Sequence, residues 1–167
     1  ERPAAAPAQM ARCIGLMSGT SLDGVDAVLV DFDDDGHTMR PRVHVHRPFD
    51  TALREQLMAL QAPGDNELHR AALAGNAIAL AYAACVDALI AHAGVDRSSI
   101  AALGAHGQTV RHRPREFDDC GYTVQLLNAS LLAERSGIDV IADLRSRDVA
   151  AGGQGAPLVP AFHAWAF

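Results

Sequence analysis

Met17-Ser18-Gly19-Thr20-Ser21-Leu22-Asp23-Gly24-Val25-Asp26 joins two short apolar runs, Arg12 to Met17 and Val25 to Phe32, and this joint constrains the fold more than any other stretch of the chain. Runs this short, and in the second case β-branched, read as strands, and a joint this close pairs them as a hairpin. The joint is nevertheless unusually polar. Two glycines let backbone approach a ligand with no Cβ in the way, successive N–H groups can form an anion-binding nest, and two hydroxyls add donors. Asp23 and Asp26 could then hold Mg²⁺ through water, because that ion dehydrates reluctantly. A plain hairpin loop with Gly where φ is positive fits the same residues.

The pattern after the joint sets the fold class. Thr38 to His46 alternates, with Val43 and Val45 on one face and Arg42, His44 and His46 on the other, so a third antiparallel strand is expected after the turn residues Asp33 to Gly36. Asp50 or Thr51 is a suitable N-cap for a first helix, and Glu67 to Ala93, dense in Ala and Leu, predicts a long buried second one after Ala62-Pro63-Gly64. Ile100 to Ala105 and Tyr122 to Leu127 read as inner strands, Asn128 to Ser136 as a short helix ended by Gly137, and Ile138 to Ala142 as a final strand. The expected order is βββ-αα-β-β-α-β, an α/β domain with a mixed sheet, three antiparallel strands first and helices on its faces. Ala151 to Pro160 reads as a loop, and the closing AFHAWAF begins like a helix with no polar end, as though natural sequence continues.

Composition then removes function classes. All 14 basic residues are Arg, so a P-loop, whose lysine reaches the β- and γ-phosphates, is excluded. The net charge of −6 argues against nucleic-acid or anionic-membrane binding, since both need clustered cations. Arg111, Arg113 and Arg115 form the one basic cluster and read as a solvated strand edge, with a lip for an anionic substrate as the second reading. Three cysteines without C-x-x-C spacing point to neither a disulfide framework nor a zinc site, and fit a reducing, cytoplasmic setting. No stretch reaches about 18 uncharged apolar residues, and residues 1–11 read as a flexible leader.

Four motifs together carry a resemblance. MSGTSLDGVDAVLVDF resembles the phosphate loop and following strand of the 1,6-anhydro-N-acetylmuramic acid kinase family. Ala105 to His112 (AHGQTVRH), Val124 to Asn128 (VQLLN) and Ala142 to Leu158 (ADLRSRDVAAGGQGAPL) resemble its other N-terminal motifs in the same order. The resemblance implies a ribonuclease-H-like, actin-like ATPase fold of two domains with ATP and sugar in the cleft between them, of which residues 12–167 match the first. It implies a kinase that uses ATP and Mg²⁺ to convert the anhydro sugar to N-acetylmuramic acid 6-phosphate while hydrolysing the anhydro bridge, in peptidoglycan recycling. Gly19, Thr20, Ser21, Leu22, Asp23, Gly24, Val25 and Asp26 would be its ATP-phosphate loop, with Asp23 facing Mg²⁺. Such a transfer asks for positioning and charge neutralisation more than covalent help. The family's base lies in a Phe-Asp-x-Gly-Pro-Gly-Asn-type motif that nothing in this chain matches. It is therefore expected beyond Phe167, the chain alone is expected to be inactive, and neither Asp143 nor Asp148 is assigned the role.

His106, Gln108 and Thr109 follow an inner strand, where polar side chains suit a hydroxyl-rich sugar, or simply satisfy a strand end. Asp143, Arg145, Arg147 and Asp148 fit a clamp for the sugar's lactyl carboxylate or a solvated ion-pair cluster. Gln154, in Gly152 to Gly155, belongs to a mobile cleft wall or a connector. His44, His46, His69, His92, His112 and His163 show no i, i+4 metal spacing. The expected partners are the sugar, ATP and the missing C-terminal domain, with a homodimer as a further assembly. Three alternatives remain: another actin-like sugar kinase, a non-catalytic assembly module presenting Trp165 and Phe167, and a nuclease using Asp23, Asp26 and Asp143. The acidic charge and the serine-glycine loop weigh against the last.

Overall fold

A computed structural model describes residues 11–33 and 38–166, so Phe167, all of the expected turn except Asp33 and all of the expected leader except Ala11 lie outside the described residues. Strands β1 (Ala11–Met17), β2 (Gly24–Phe32) and β3 (Met39–Pro48) form the expected antiparallel meander. Helices α1 (Thr51–Ala59) and α2 (Glu67–Ala93) come next, then β4 (Ile100–Ala105), β5 (Gln108–Pro114), β6 (Gly121–Leu126), α3 (Ala129–Ser136), β7 (Val140–Ile141), α4 (Leu144–Ala150) and α5 (Val159–Ala166). The main sheet runs β3-β2-β1-β4-β7, with β4 parallel to both β1 and β7.

Register explains which face is core. Ile14 lies opposite Leu29 and Leu103, and Leu16 opposite Ala27 and Ala105. All six are buried in the cluster that includes Ala74, Ile78, Tyr82, Cys85 and Leu89 of α2. Those five positions recur every three or four residues and make one helix stripe. By length and hydropathy α2 could cross a bilayer, yet half of its most apolar window is buried within the protein, as befits a core helix. The chain after β6 is tied to α2 at Gly75: Asn128 N donates to Gly75 O at 3.1 Å, and Asn128 Oδ1 caps α3 by accepting from Leu131 N at 3.0 Å. Asp50 caps α1 in the same way, accepting from Leu53 N at 2.7 Å.

The structure corrects the expected order in three places. Residues 108–114 form a strand, β5, that pairs with β6 in a separate two-stranded sheet, so β6 is not an inner strand of the main one. Arg111 is no solvated edge: its guanidinium donates to Leu60 O and to Glu67 Oε1 at 2.6 Å, joining β5 to α2 and the end of α1. Residues 144–150, read as a charged motif, are helical. The helix expected to begin in AFHAWAF is α5, which starts at Val159, inside the stretch expected as loop. Trp165 of α5 lies 6.5 Å from Phe32 and 5.9 Å from Phe162, ring centre to ring centre.

Candidate functional site

Parallel β1 and β4 end side by side, and the polar loop leaves the first while His106 leaves the second. His106 N donates to Leu16 O at 3.0 Å, extending the ladder one residue past the strand. Between strands β1 and β2, Leu22 N donates to Gly19 O at 3.2 Å and closes a tight turn. Leu22 holds φ at 55° and is buried, so an apolar anchor pins a left-handed residue that the backbone alone would avoid. Thr20 and Ser21 are exposed, and their N–H groups have no acceptor among the described residues. Gly24 is required for packing rather than ligand access: a Cβ there would collide with Arg47 O and Pro48 Cα of β3.

The loop's two carboxylates differ in surroundings. Asp23 is exposed; the Ser21 hydroxyl, donating at 2.8 Å, holds its carboxyl below the usual range, aided by nearby backbone N–H groups and the charge of His46. An ionised, solvent-facing carboxylate beside free N–H groups fits water-mediated contact with Mg²⁺ carried by phosphates. Asp26 instead faces His44 Nε2 at 2.8 Å and His46 Nδ1 at 3.2 Å. These two histidines therefore have a partner that their sequence spacing did not reveal. Val25 is buried in the core.

Ser18 and Gln108 join the loop to the second motif. Ser18 Oγ donates to Gly107 O at 3.1 Å, and Gln108 Nε2 donates to Gly19 O at 3.0 Å. Gln108 is fully buried, so its side chain faces the loop and not a cleft. Thr109 is half-buried, with its hydroxyl accepting from Gln125 Nε2 at 3.1 Å.

His106 stands between two clefts. One, of about 330 Å³, is bordered by Met17, Asp26, His44, Gly104 and Leu144 as well as His106. The other, of about 380 Å³, is lined by His106, Thr123, Gln125, Asp143 and Ser146 among others. Arg145 Nε donates to His106 Nε2 at 2.6 Å, while His106 Nδ1 donates to Gly107 O at 2.7 Å. Burial, with the charge of Arg145 adding, pushes the imidazole pKa down. The same Arg145 reaches Gly155 O at 2.6 Å, and Asp148 Oδ2 accepts from Gly155 N at 2.7 Å, so residues 152–155 are strapped to α4. Arg115 adds a bond to Gly152 O at 2.8 Å. Asp143 is exposed at a left-handed φ of 58°, and Gln154 and Arg147 are exposed. Gln125 was missed as a site residue, although it lies within a quoted motif; its Oε1 is buried with no hydrogen-bond partner. Among the described residues no group of three His, Cys, Asp or Glu side chains could hold a metal by itself.

Comparison with known proteins gives this arrangement a family. The model of the family described as anhydro-N-acetylmuramic acid kinase matches residues 11–167. The anhydro-N-acetylmuramic acid kinase of Variovorax paradoxus is 66% identical over 150 residues, covering 90% of this chain and 40% of that protein. That of Albidiferax ferrireducens is 63% identical over 154 residues, 92% of this chain and 39% of that protein. That of Cupriavidus pinatubonensis is 60% identical over 158 residues, 93% and 41% respectively. The chain thus spans about 40% of the length of these curated relatives. It belongs to the anhydro-N-acetylmuramic acid kinase family.

Proposed function

We propose that this chain is the nucleotide-loop portion of a kinase that phosphorylates 1,6-anhydro-N-acetylmuramic acid with ATP and opens the anhydro bridge by hydrolysis, giving N-acetylmuramic acid 6-phosphate for cell-wall recycling in the cytoplasm. The main observation behind the reading is the junction of the two motifs: the Gly19 turn is hydrogen-bonded to Gly107 and Gln108 at the carboxyl ends of parallel strands, where open α/β sheets bind ligands. The fold in this reading is ribonuclease-H-like and actin-like. Its opening antiparallel meander, followed by a helix and a parallel strand, is compatible with that class.

In the reaction, the free N–H groups of Thr20 and Ser21 hold phosphate oxygens in place of the lysine that the chain lacks. Asp23 would hold Mg²⁺, which when bound would supply charge neutralisation of the phosphates. Arg145 offers a planar cation for the lactyl carboxylate; His106, Thr109, Asp143 and Gln154 face or flank the sugar's hydroxyls, and Gln125 joins them. Gln108 acts on the loop rather than on the sugar. The water-activating base is supplied by sequence outside this chain.

The test is to assay phosphorylation of the anhydro sugar with this chain alone and with the remaining length that the relatives carry. Product is expected in the second case and not in the first; turnover by the chain alone would place the base within it. In the complete enzyme, Asp23→Asn should weaken Mg-nucleotide binding about tenfold with the fold intact by circular dichroism. Unaltered affinity would remove Asp23 from the metal's surroundings.

A further inference from the structure

Beneath the exposed turn lies a buried knot of side chains whose hydrogen bonds belong to neither sheet ladder. Ser18 has one hydroxyl proton, and it goes to Gly107 O at 3.1 Å, so Tyr82 OH, 2.8 Å away, is the donor to Ser18 Oγ. Tyr82 is fully buried on α2, and burial pushes its phenol pKa up to about 12, so it remains a donor throughout the working range of an enzyme. Gln108 reaches the same turn from β5, with Nε2 on Gly19 O. Its Oε1 is buried with no partner. A buried carbonyl oxygen without a donor is costly, and the amide retains that orientation because its N–H side is committed to Gly19 O.

Gly107 O is the shared acceptor. It takes the Ser18 hydroxyl from the loop and His106 Nδ1 from the corner after β4. Gly107 is fixed in turn, since it holds φ at 75° and a Cβ there would sit 2.7 Å from Leu126 O. His106 is held from its other side by Arg145. A ligand that pulls on Arg145 or His106 therefore acts on Gly107 O, and through Ser18 on the turn.

We propose that Tyr82, Ser18 and Gln108 are positioning residues that couple the two halves of the site, holding the Gly19 turn against the His106–Gly107 corner so that sugar on one side strengthens nucleotide binding on the other. The inference rests on the function proposed above. By linkage the effect is reciprocal: the nucleotide tightens the sugar by the same factor. None of the three side chains needs to touch either ligand.

The experiment uses the complete enzyme and measures the Kd of a non-hydrolysable ATP analogue by calorimetry, with and without saturating 1,6-anhydro-N-acetylmuramic acid, together with steady-state KM and kcat. Wild type should bind the analogue at least threefold more tightly when sugar is present. Tyr82→Phe retains the buried ring and removes only the donor; Gln108→Met retains the volume and removes the amide. In each the sugar-induced tightening should fall towards onefold and the ATP KM should rise at least threefold, with kcat changed less. Should Gln108→Met fail to fold, Tyr82→Phe decides alone. Wild-type enzyme that neither binds nucleotide nor phosphorylates the sugar would overturn the functional reading and this inference with it. Active wild-type enzyme without coupling, or a folded Tyr82→Phe that retains it, would overturn the inference alone.

Discussion

The proton of His106 has a defined place. Nδ1 donates to Gly107 O and Nε2 accepts from Arg145, which requires the neutral Nδ1–H tautomer and leaves no lone pair for an added proton. Burial, chiefly, and the neighbouring guanidinium lower its pKa from the ordinary 6.5. The unfolded chain therefore takes up this proton at a higher pH than the folded one. Stability from this group is complete above about pH 6.5 and declines as pH falls towards the lower folded value. Urea unfolding at pH 8 and pH 5.5 should show a smaller acid-dependent loss for His106→Gln than for wild type; an equal loss would mean that the imidazole charges freely in the fold. Sequence alone marks His106 and Gln108 equally, as polar residues at the end of an apolar run. It carries no sign that Gln108 is fully buried and bonded to Gly19, because that depends on where a loop 89 residues earlier comes to rest.

Elements were legible where periodicity is long. α2 runs from Glu67 to Ala93 as its pattern predicts, and the caps Asp50, Asn128 and Gly137 lie where sequence places them. β5 was not legible: QTVRHRP has three charged or histidine residues in its last four positions before proline, and its partner is a neighbouring strand rather than the central sheet. α4 escaped for a similar reason, since Leu144–Ala150 has one fully buried residue, Val149, and so almost no apolar period to read. The α2 stripe also sets the stability of the site, because Tyr82 reaches Ser18 from it. Ile78 is one turn before Tyr82 and fully buried. Ile78→Ala should cost about 2–5 kcal/mol, the transfer of the lost carbons plus the cavity left in an Ala-rich seam that has little bulk to collapse into it. Urea denaturation measures this; a loss below about 1 kcal/mol would show that the seam closes on the cavity.

Across the whole molecule, the glycine joint is divided by depth into a packed hairpin turn and an exposed tip, and the proposed phosphate contacts belong to the tip. Leu22, Gly24 and Val25 answer to packing, while Thr20, Ser21 and Asp23 face solvent. Electrostatics then decides what such a loop can bind. The chain carries 20 acidic and 14 basic residues and no lysine, so a bare triphosphate meets net repulsion from this part of the enzyme as well as from Asp23 beside the turn. That repulsion is long-ranged when salt is low, with a screening length of about 30 Å at 0.01 M that shrinks to about 10 Å at 0.1 M. Magnesium complexed to the phosphates removes half or more of the ligand's charge before it arrives. Metal-free ATP should therefore bind at least tenfold more weakly than Mg-ATP at 0.01 M salt, and the gap should narrow at 0.1 M because screening relieves the more highly charged ligand more. Calorimetric titration of the complete enzyme at both ionic strengths, with EDTA or with excess Mg²⁺, measures the two affinities. A gap that is absent at low salt, or that widens as salt is added, would show that cationic side chains rather than backbone N–H groups meet the phosphates.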